Sequence, residues 1–146
     1  MFSVKQFKSG GKWTNWAGNV IAYPGETKLP KTVEEVCHIV HDTKASGKNI
    51  RVTGAAHSFS AIAMPNHVAL SLHHMRGLIN ADSQTGEATF WAGTYLFEIG
   101  PALANYGLAL ANMGDIQQQT LAGAISTGTR LSLDIEQRKL YCRKKK

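Results

Sequence analysis

The chain has 146 residues, 43% of them hydrophobic, enough for one domain with a genuine core. Its formal charge of +6 is uneven: residues 1–129 hold nine Lys/Arg against eight Asp/Glu, and residues 130–146 hold seven against two. A nearly neutral body with a basic end, and no DNA- or RNA-binding motif, argues for a solvated tail and against a nucleic-acid partner.

Two cysteines, Cys37 and Cys142, make no disulfide framework and match no zinc spacing. Reduced, cytoplasmic conditions are therefore the expectation. No apolar run approaches the roughly 18 residues of a membrane span. The N-terminus, with Lys5, Lys8 and Lys12 before Trp13, lacks the continuous apolar stretch of a secretory signal.

Residues 1–18 read as an arm whose Trp13 and Trp16 pack onto the body. Val20–Tyr23 is a short strand stopped by Pro24-Gly25. A helix follows, with Thr32 and Glu35 as a capping box and Val33, Val36, Ile39, Val40 and Thr43 on one face. Cys37 falls within it and reads as a small core residue. His38 and His41 suggest a metal only weakly; they read as a surface face, and no metal site is expected. Gly47 ends the helix. Ile50–Thr53 then reads as a buried strand, closing a βαβ-like unit with the first strand.

The run Gly54-Ala55-Ala56-His57-Ser58-Phe59-Ser60 leaves that strand with almost no side chains to keep another molecule from the backbone. Bare N–H groups and hydroxyls in such a nest suit a phosphate or pyrophosphate, with His57 as the one reactive group. A loop at the carboxyl end of a strand is also where open α/β sheets bind ligands. The plain alternative is a tight turn with a solvated histidine.

Val68–Leu72 is a further strand, followed by His73-His74 at its end. Leu78–Asp82 and Glu87–Ala92 flank Ser83-Gln84-Thr85-Gly86 as a hairpin. Leu96, Ile99, Leu103 and Tyr106 have helical spacing, with Thr94 as cap, Gly107 as stop and Pro101 as a kink or second start. Beyond Leu108–Met113, residues 114–129 alternate tiny residues with hydroxyls in their later half. Such a backbone can lie against a large planar ligand, or form a Gly/Ala-rich helix packed closely on a neighbour.

Taken together, these segments resemble the FAD-binding (PCMH-type) module of the flavoenzyme family typified by vanillyl-alcohol oxidase and p-cresol methylhydroxylase. Within it the likeness is nearest to sugar-lactone and alditol oxidases: gulonolactone, arabinonolactone and xylitol oxidases. The matching pieces occur in the family's order: Trp16-Ala17-Gly18-Asn19, Glu34-Glu35-Val36, residues 51–60, Leu70-Ser71-Leu72 with Met75, Ala92-Gly93-Thr94, Gly107-Leu108-Ala109-Leu110, residues 112–116 and residues 122–129. Each is weak alone; the ordered set, over residues 13–129, is specific.

The resemblance implies an α+β fold, with a small βαβ-containing subdomain and an incomplete second β/α subdomain. Its domain reading is an arm over 1–18, the FAD-binding domain over 19–129 and an unrelated basic tail over 130–146. It implies that Val52, Thr53, Gly54, Ala55, Ala56, His57 and Ser58 wrap the FAD pyrophosphate. Asp115, Thr120, Gly123, Ala124, Ile125 and Ser126 would line the cofactor near the isoalloxazine. His57 takes the position of the histidine that many members join covalently to the flavin. Ala55-Ala56 departs from relatives that carry Gly or Arg, yet both residues are small enough for the loop.

After Gly128-Thr129 the family continues with His-Gly and a long stretch that completes the cofactor domain and adds a substrate domain. Here Arg130-Leu131-Ser132 begins unrelated sequence. The charge change falls at the same place, so a truncated product is expected, through a frameshift, a pseudogene or a misread open reading frame. No catalytic residue is assigned, because the family's acid/base and substrate-clamping groups lie in the absent region. Three functions follow: the FAD-binding portion of an oxidase of sugar lactones or polyols that is inactive alone, a non-catalytic flavin-binding fragment, or a basic-tailed interaction protein.

Overall fold

The computed structural model describes residues 11–129, together with the backbone of Leu133–Asp134 and Lys139–Lys144. The first ten residues of the arm and the side chains of the basic tail lie outside the described residues. The chain forms two compact units, Met1–Met75 and Arg76–Lys146. Strands and helices mix in both, giving the α+β class.

In the first unit, β1 (Trp13–Thr14) and β2 (Ile21–Ala22) make a two-stranded antiparallel ribbon. A parallel sheet follows in the order β3 (Glu26–Lys28), β5 (Val68–Ser71), β4 (Ile50–Thr53). The first strand of the βαβ unit is thus β3, not the expected Val20–Tyr23, because Pro24-Gly25 ends β2 and a new strand begins beyond it. Glu26-Thr27-Lys28 carries no apolar signal, since as an edge strand it is half-exposed on both faces.

Helix α1 (Val33–Ala45) crosses from β3 to β4, and residues 54–67 cross from β4 to β5. Parallel neighbours demand such long connections. β5 lies between the other two strands, and all four of its residues are buried, as a central parallel strand requires. β4 is an edge strand rather than the buried one expected: only Thr53 is buried, and Val52 is 51% exposed. Its β-branched residues signal extended backbone, and the sheet order decides burial.

Thr32 caps α1, its hydroxyl accepting from the Glu35 N–H at 3.2 Å, while the Glu35 carboxylate accepts from the Lys31 N–H at 2.7 Å. The capping box therefore reaches back one residue further than expected. Ile39 and Thr43 line a cleft with Val68, but Val33 and Val40 are exposed and only Thr43 of the helix is buried. Cys37 is exposed, correcting its reading as a core residue; it lies off the narrow stripe that faces the sheet.

Glu26 is clamped between Lys28 at 2.8 Å and Lys48 at 2.7 Å. Hydrogen bonds to Lys28 and then Lys48, with their charges, hold its carboxyl down at about 2. A depressed carboxyl favours the fold above its unfolded pKa, and the contribution disappears as pH falls through the folded value. In a carboxyl-carbon NMR titration Glu26 is expected to titrate at about 2 and Lys48→Met to raise the midpoint; Glu26→Gln should flatten acid destabilisation between 4.5 and about 2. An unchanged midpoint in Lys48→Met would remove the clamp from the account.

In the second unit, β6 (Leu78–Asp82) and β7 (Glu87–Phe90) form the expected hairpin. Asp82 accepts from the Gln84 N–H at 2.7 Å, and Gly86 takes φ +76°, so an aspartate and a glycine shape the turn. The sheet runs β6-β7-β10-β8, with β8 (Leu108–Leu110), β10 (Lys139–Lys144) and β9 (Leu133–Asp134) beside β10.

α2 (Leu96–Ala104) is capped at Tyr95, one residue later than expected, with the Glu98 carboxylate accepting from the Tyr95 N–H at 2.9 Å. Thr94 is not the cap. Fully buried, its hydroxyl accepts from the Gly77 N–H at 2.9 Å and donates to the Trp91 carbonyl at 2.6 Å, fixing the approach to the helix. Pro101 sits within the helix without ending it. Leu96, Ile99 and Leu103 face a core completed by Ala88, Phe90, Leu108, Leu121 and Ala124.

Candidate cofactor-binding site

The His57 loop leaves the carboxyl end of β4, and residues 15–19 grip it. The Trp16 N–H donates to the Ala56 carbonyl at 2.8 Å. The Asn15 amide donates to the Ser58 carbonyl at 3.0 Å and to Asn19 Oδ1 at 2.6 Å, while its own oxygen accepts from the Val20 N–H at 3.0 Å. Asn19 donates to the Phe59 carbonyl at 3.1 Å. Asn15 is buried with both amide protons used, so it makes a fully satisfied polar network of the kind that fixes one conformation.

The carbonyls of Ala56, Ser58 and Phe59 are thus committed to residues 15–19. The amides of Ala55, Ala56 and Ser58 donate to no backbone carbonyl among the described residues. Ala56 takes φ +58°, a left-handed conformation rare for a residue with a Cβ, and is buried against Trp13 and Ala22. Thr53 is 2% exposed, and its hydroxyl has no hydrogen-bond partner among the described residues. Gly54, Ala55, His57 and Ser58 are half-buried. The Ser58 and Ser60 hydroxyls lie 3.0 Å apart. The His57 ring stacks on Trp16 with centroids 5.7 Å apart and planes at 22°, and burial pushes the imidazole below the ordinary histidine value.

In the second unit, residues 117–122 zip along residues 92–97. The Leu96 and Phe97 N–H groups donate to the Gln119 and Gln117 carbonyls at 3.0 and 3.1 Å, and those of Leu121 and Ala122 donate to Thr94 and Ala92 at 2.7 and 3.0 Å. This sets the start of α3 (Leu121–Ser126), capped by the Thr120 hydroxyl, which accepts from the Gly123 N–H at 3.3 Å. A Cβ on Gly123 would lie 3.0 Å from that hydroxyl. The small-residue segment is therefore a short helix, the second of the two conformations its sequence allows. Leu121 and Ala124 point into the core, Thr120 is buried, Gly123 is half-buried, and Ile125, Ser126 and Asp115 are exposed.

The expected site residues fall into both units: 52–58 in the first, 115–126 in the second. The sequence reading placed Asn15 and Trp16 in an arm over 1–18 and Asn19 at the start of the domain, and did not foresee that all three hold the loop. The available signal was two asparagines flanking an indole just before a strand, a common loop composition. Among the described residues no three His, Cys, Asp or Glu side chains gather as a metal would need, and no helix is long and apolar enough to cross a membrane.

The family model described as FAD binding domain matches residues 26–132. The chain belongs to the FAD binding domain family. Among curated relatives, this FAD binding domain is 31% identical over 117 residues to L-gulono-1,4-lactone dehydrogenase of Mycobacterium tuberculosis, covering 80% of the chain and 27% of that protein. It is 32% identical over 120 residues to L-gulonolactone oxidase of Bos taurus (82% of the chain, 27% of the relative). Against D-arabinono-1,4-lactone oxidase of Candida glabrata it is 34% identical over 119 residues (79% and 23%). The chain thus spans about a quarter of the length of these relatives.

Among solved structures, alkyldihydroxyacetonephosphate synthase has a TM-score of 0.70 at 20% identity, covering 90% of this chain and 29% of that one. Cholesterol oxidase from Brevibacterium sterolicum has a TM-score of 0.68 at 21% identity, covering 77% and 22%. At that identity they share the fold.

FAD is the cofactor of this domain, and the residues present fit it. The buried Thr53 hydroxyl, without a hydrogen-bond partner among the described residues, and the loop amides of Ala55, Ala56 and Ser58 are donors suited to a diphosphate, at a turn built from residues too small to obstruct it. No lysine or arginine occurs between residues 52 and 60, and a nest of neutral donors needs none.

Proposed function

We propose that this stretch is the FAD-binding portion of an oxidoreductase acting on a sugar lactone or a polyol. Val52–Ser58 hold the diphosphate, through Thr53 and the loop amides. His57 stands beside the flavin as its point of covalent attachment. Asp115, Thr120, Gly123, Ala124, Ile125 and Ser126 serve the flavin's other side, Ala124 by its backbone because its side chain is buried. Bound FAD supplies a two-electron hydride acceptor.

The substrate class rests on the lactone-oxidising relatives, each matched over this cofactor-binding stretch alone. Acid/base and substrate-clamping groups then come from sequence beyond that stretch, and these residues do not turn over substrate by themselves. The observation that carries the reading is the gripped loop: carbonyls bound inward at Ala56 and Ser58, donors left for an anion, and one imidazole among them.

The test is an absorbance spectrum of the purified chain before and after acid precipitation. A yellow pellet is expected from the native chain. His57→Ala is expected to release all its flavin to the supernatant. A native chain with no flavin in either fraction sinks the proposal; a native chain that gives up all its flavin to acid removes the covalent part.

A further inference from the structure

We propose that Trp16 is a positioning residue for His57: its indole, fixed by the grip of residues 15–19 on the loop, holds the imidazole in one orientation before cofactor arrives. The inference rests on the FAD-binding reading of the His57 loop. Three observations carry it. First, the backbone of Trp16 is immobilised where it meets the loop, by its own N–H on the Ala56 carbonyl at 2.8 Å and by Asn15 and Asn19 on the carbonyls of Ser58 and Phe59.

Second, His57 and Phe59 both contact the one indole. The imidazole stacks at 5.7 Å and 22°, and Phe59 meets the indole edge-on at 6.1 Å and 78°. Two residues of the same loop, two positions apart, thus bring their rings to Trp16 together. Third, Trp16 is 60% exposed, so the ring contributes little to the core; the buried tryptophan of this segment is Trp13, at 2%. An exposed indole placed by at least three hydrogen bonds in its segment is costly to order unless the ring it touches gains from it.

Stacking leaves the edge of the imidazole, and so its nitrogens, directed away from the indole face. It also withdraws one ring face from water, consistent with the lowered histidine value that burial produces here. A neutral, oriented imidazole is what a group bonding to a cofactor carbon through nitrogen requires. A freely rotating histidine at a loop would lose that orientation.

The test uses the full chain and the variants Trp16→Ala and Trp16→Phe. Side-chain NMR of the cofactor-free protein is expected to show contacts between indole and imidazole protons. In Trp16→Ala the His57 ring protons lose their ring-current shift and the ring samples more orientations than in the native chain, while amide shifts outside residues 13–20 and 54–60 and the urea midpoint are unchanged. FAD binding weakens by about threefold to tenfold, the range expected for one lost aromatic stack, and Trp16→Phe restores most of it. An ordered His57 ring and unaltered FAD affinity in Trp16→Ala would overturn the inference. If His57 loses order in Trp16→Ala but the native chain binds no FAD, the indole's hold on the histidine stands and the cofactor reading fails.

Discussion

Ala56→Val is expected to eliminate FAD binding, while Ala56→Gly preserves it. Ala56 sits at φ +58°, where a Cβ already costs roughly 1–2 kcal/mol. A β-branched side chain is an outlier in that region. The position is also 4% exposed against Trp13 and Ala22, so two added methyls meet a packed neighbourhood, where overpacking costs about 1–3 kcal/mol more. The least costly escape is to abandon the left-handed turn. That breaks the bond from the Trp16 N–H to the Ala56 carbonyl and turns the loop amides from their common direction.

Glycine adopts the same φ without strain and gives up only one buried methyl. Flavin fluorescence titration of the three proteins, with urea denaturation of each, separates binding from stability. Native-like affinity in Ala56→Val would show that the cofactor does not depend on this turn.

The second large effect is on stability. Leu103→Ala should destabilise the Arg76–Lys146 unit by about 2–5 kcal/mol, the range for a leucine deleted from a packed core. Leu103 is fully buried on α2 among Leu96, Ile99, Leu108 and Leu121. The loss is a large share of the roughly 5–15 kcal/mol that holds a typical domain together. Because the first two residues of α2, Leu96 and Phe97, bond the carbonyls of Gln119 and Gln117, weakening the helix should loosen the approach to α3. Val40→Ala, 43% exposed on α1, is the control and should change stability by no more than about 0.5 kcal/mol. Equal urea midpoints for the two variants would show that the α2 core is not what holds this unit.

Much of the architecture was legible in the sequence where the local signal was strong. The Thr32 cap, the β6–β7 hairpin around Ser83–Gly86 and the apolar spacing of Leu96, Ile99 and Leu103 all form as their residue types require. The order of several weak motifs also carried the family and its FAD cofactor.

Other features lay outside local information. Glu26–Lys28 is polar and becomes a strand only because β5 offers an edge to pair with. Ile50–Thr53 is β-branched yet mostly uncovered, because β5 takes the centre of the sheet. Thr94 has the composition of a cap but spends its hydroxyl on Gly77 and Trp91, residues distant or adjacent in ways spacing does not reveal.

The sequence alone determined that a small-residue loop carrying His57 follows a strand, since β-branched residues and then Gly-Ala-Ala fix extended backbone followed by bare backbone. It also determined the Thr32 cap of α1 and the hairpin, each set by bonds spanning a few residues. Tertiary structure decided which face of each strand is buried, which strand is central, and what holds the His57 loop. The grip of Asn15, Trp16 and Asn19 on residues 56–59 joins segments some forty positions apart. Contacts across that distance depend on how the chain closes, and local residue preferences carry no record of the closure.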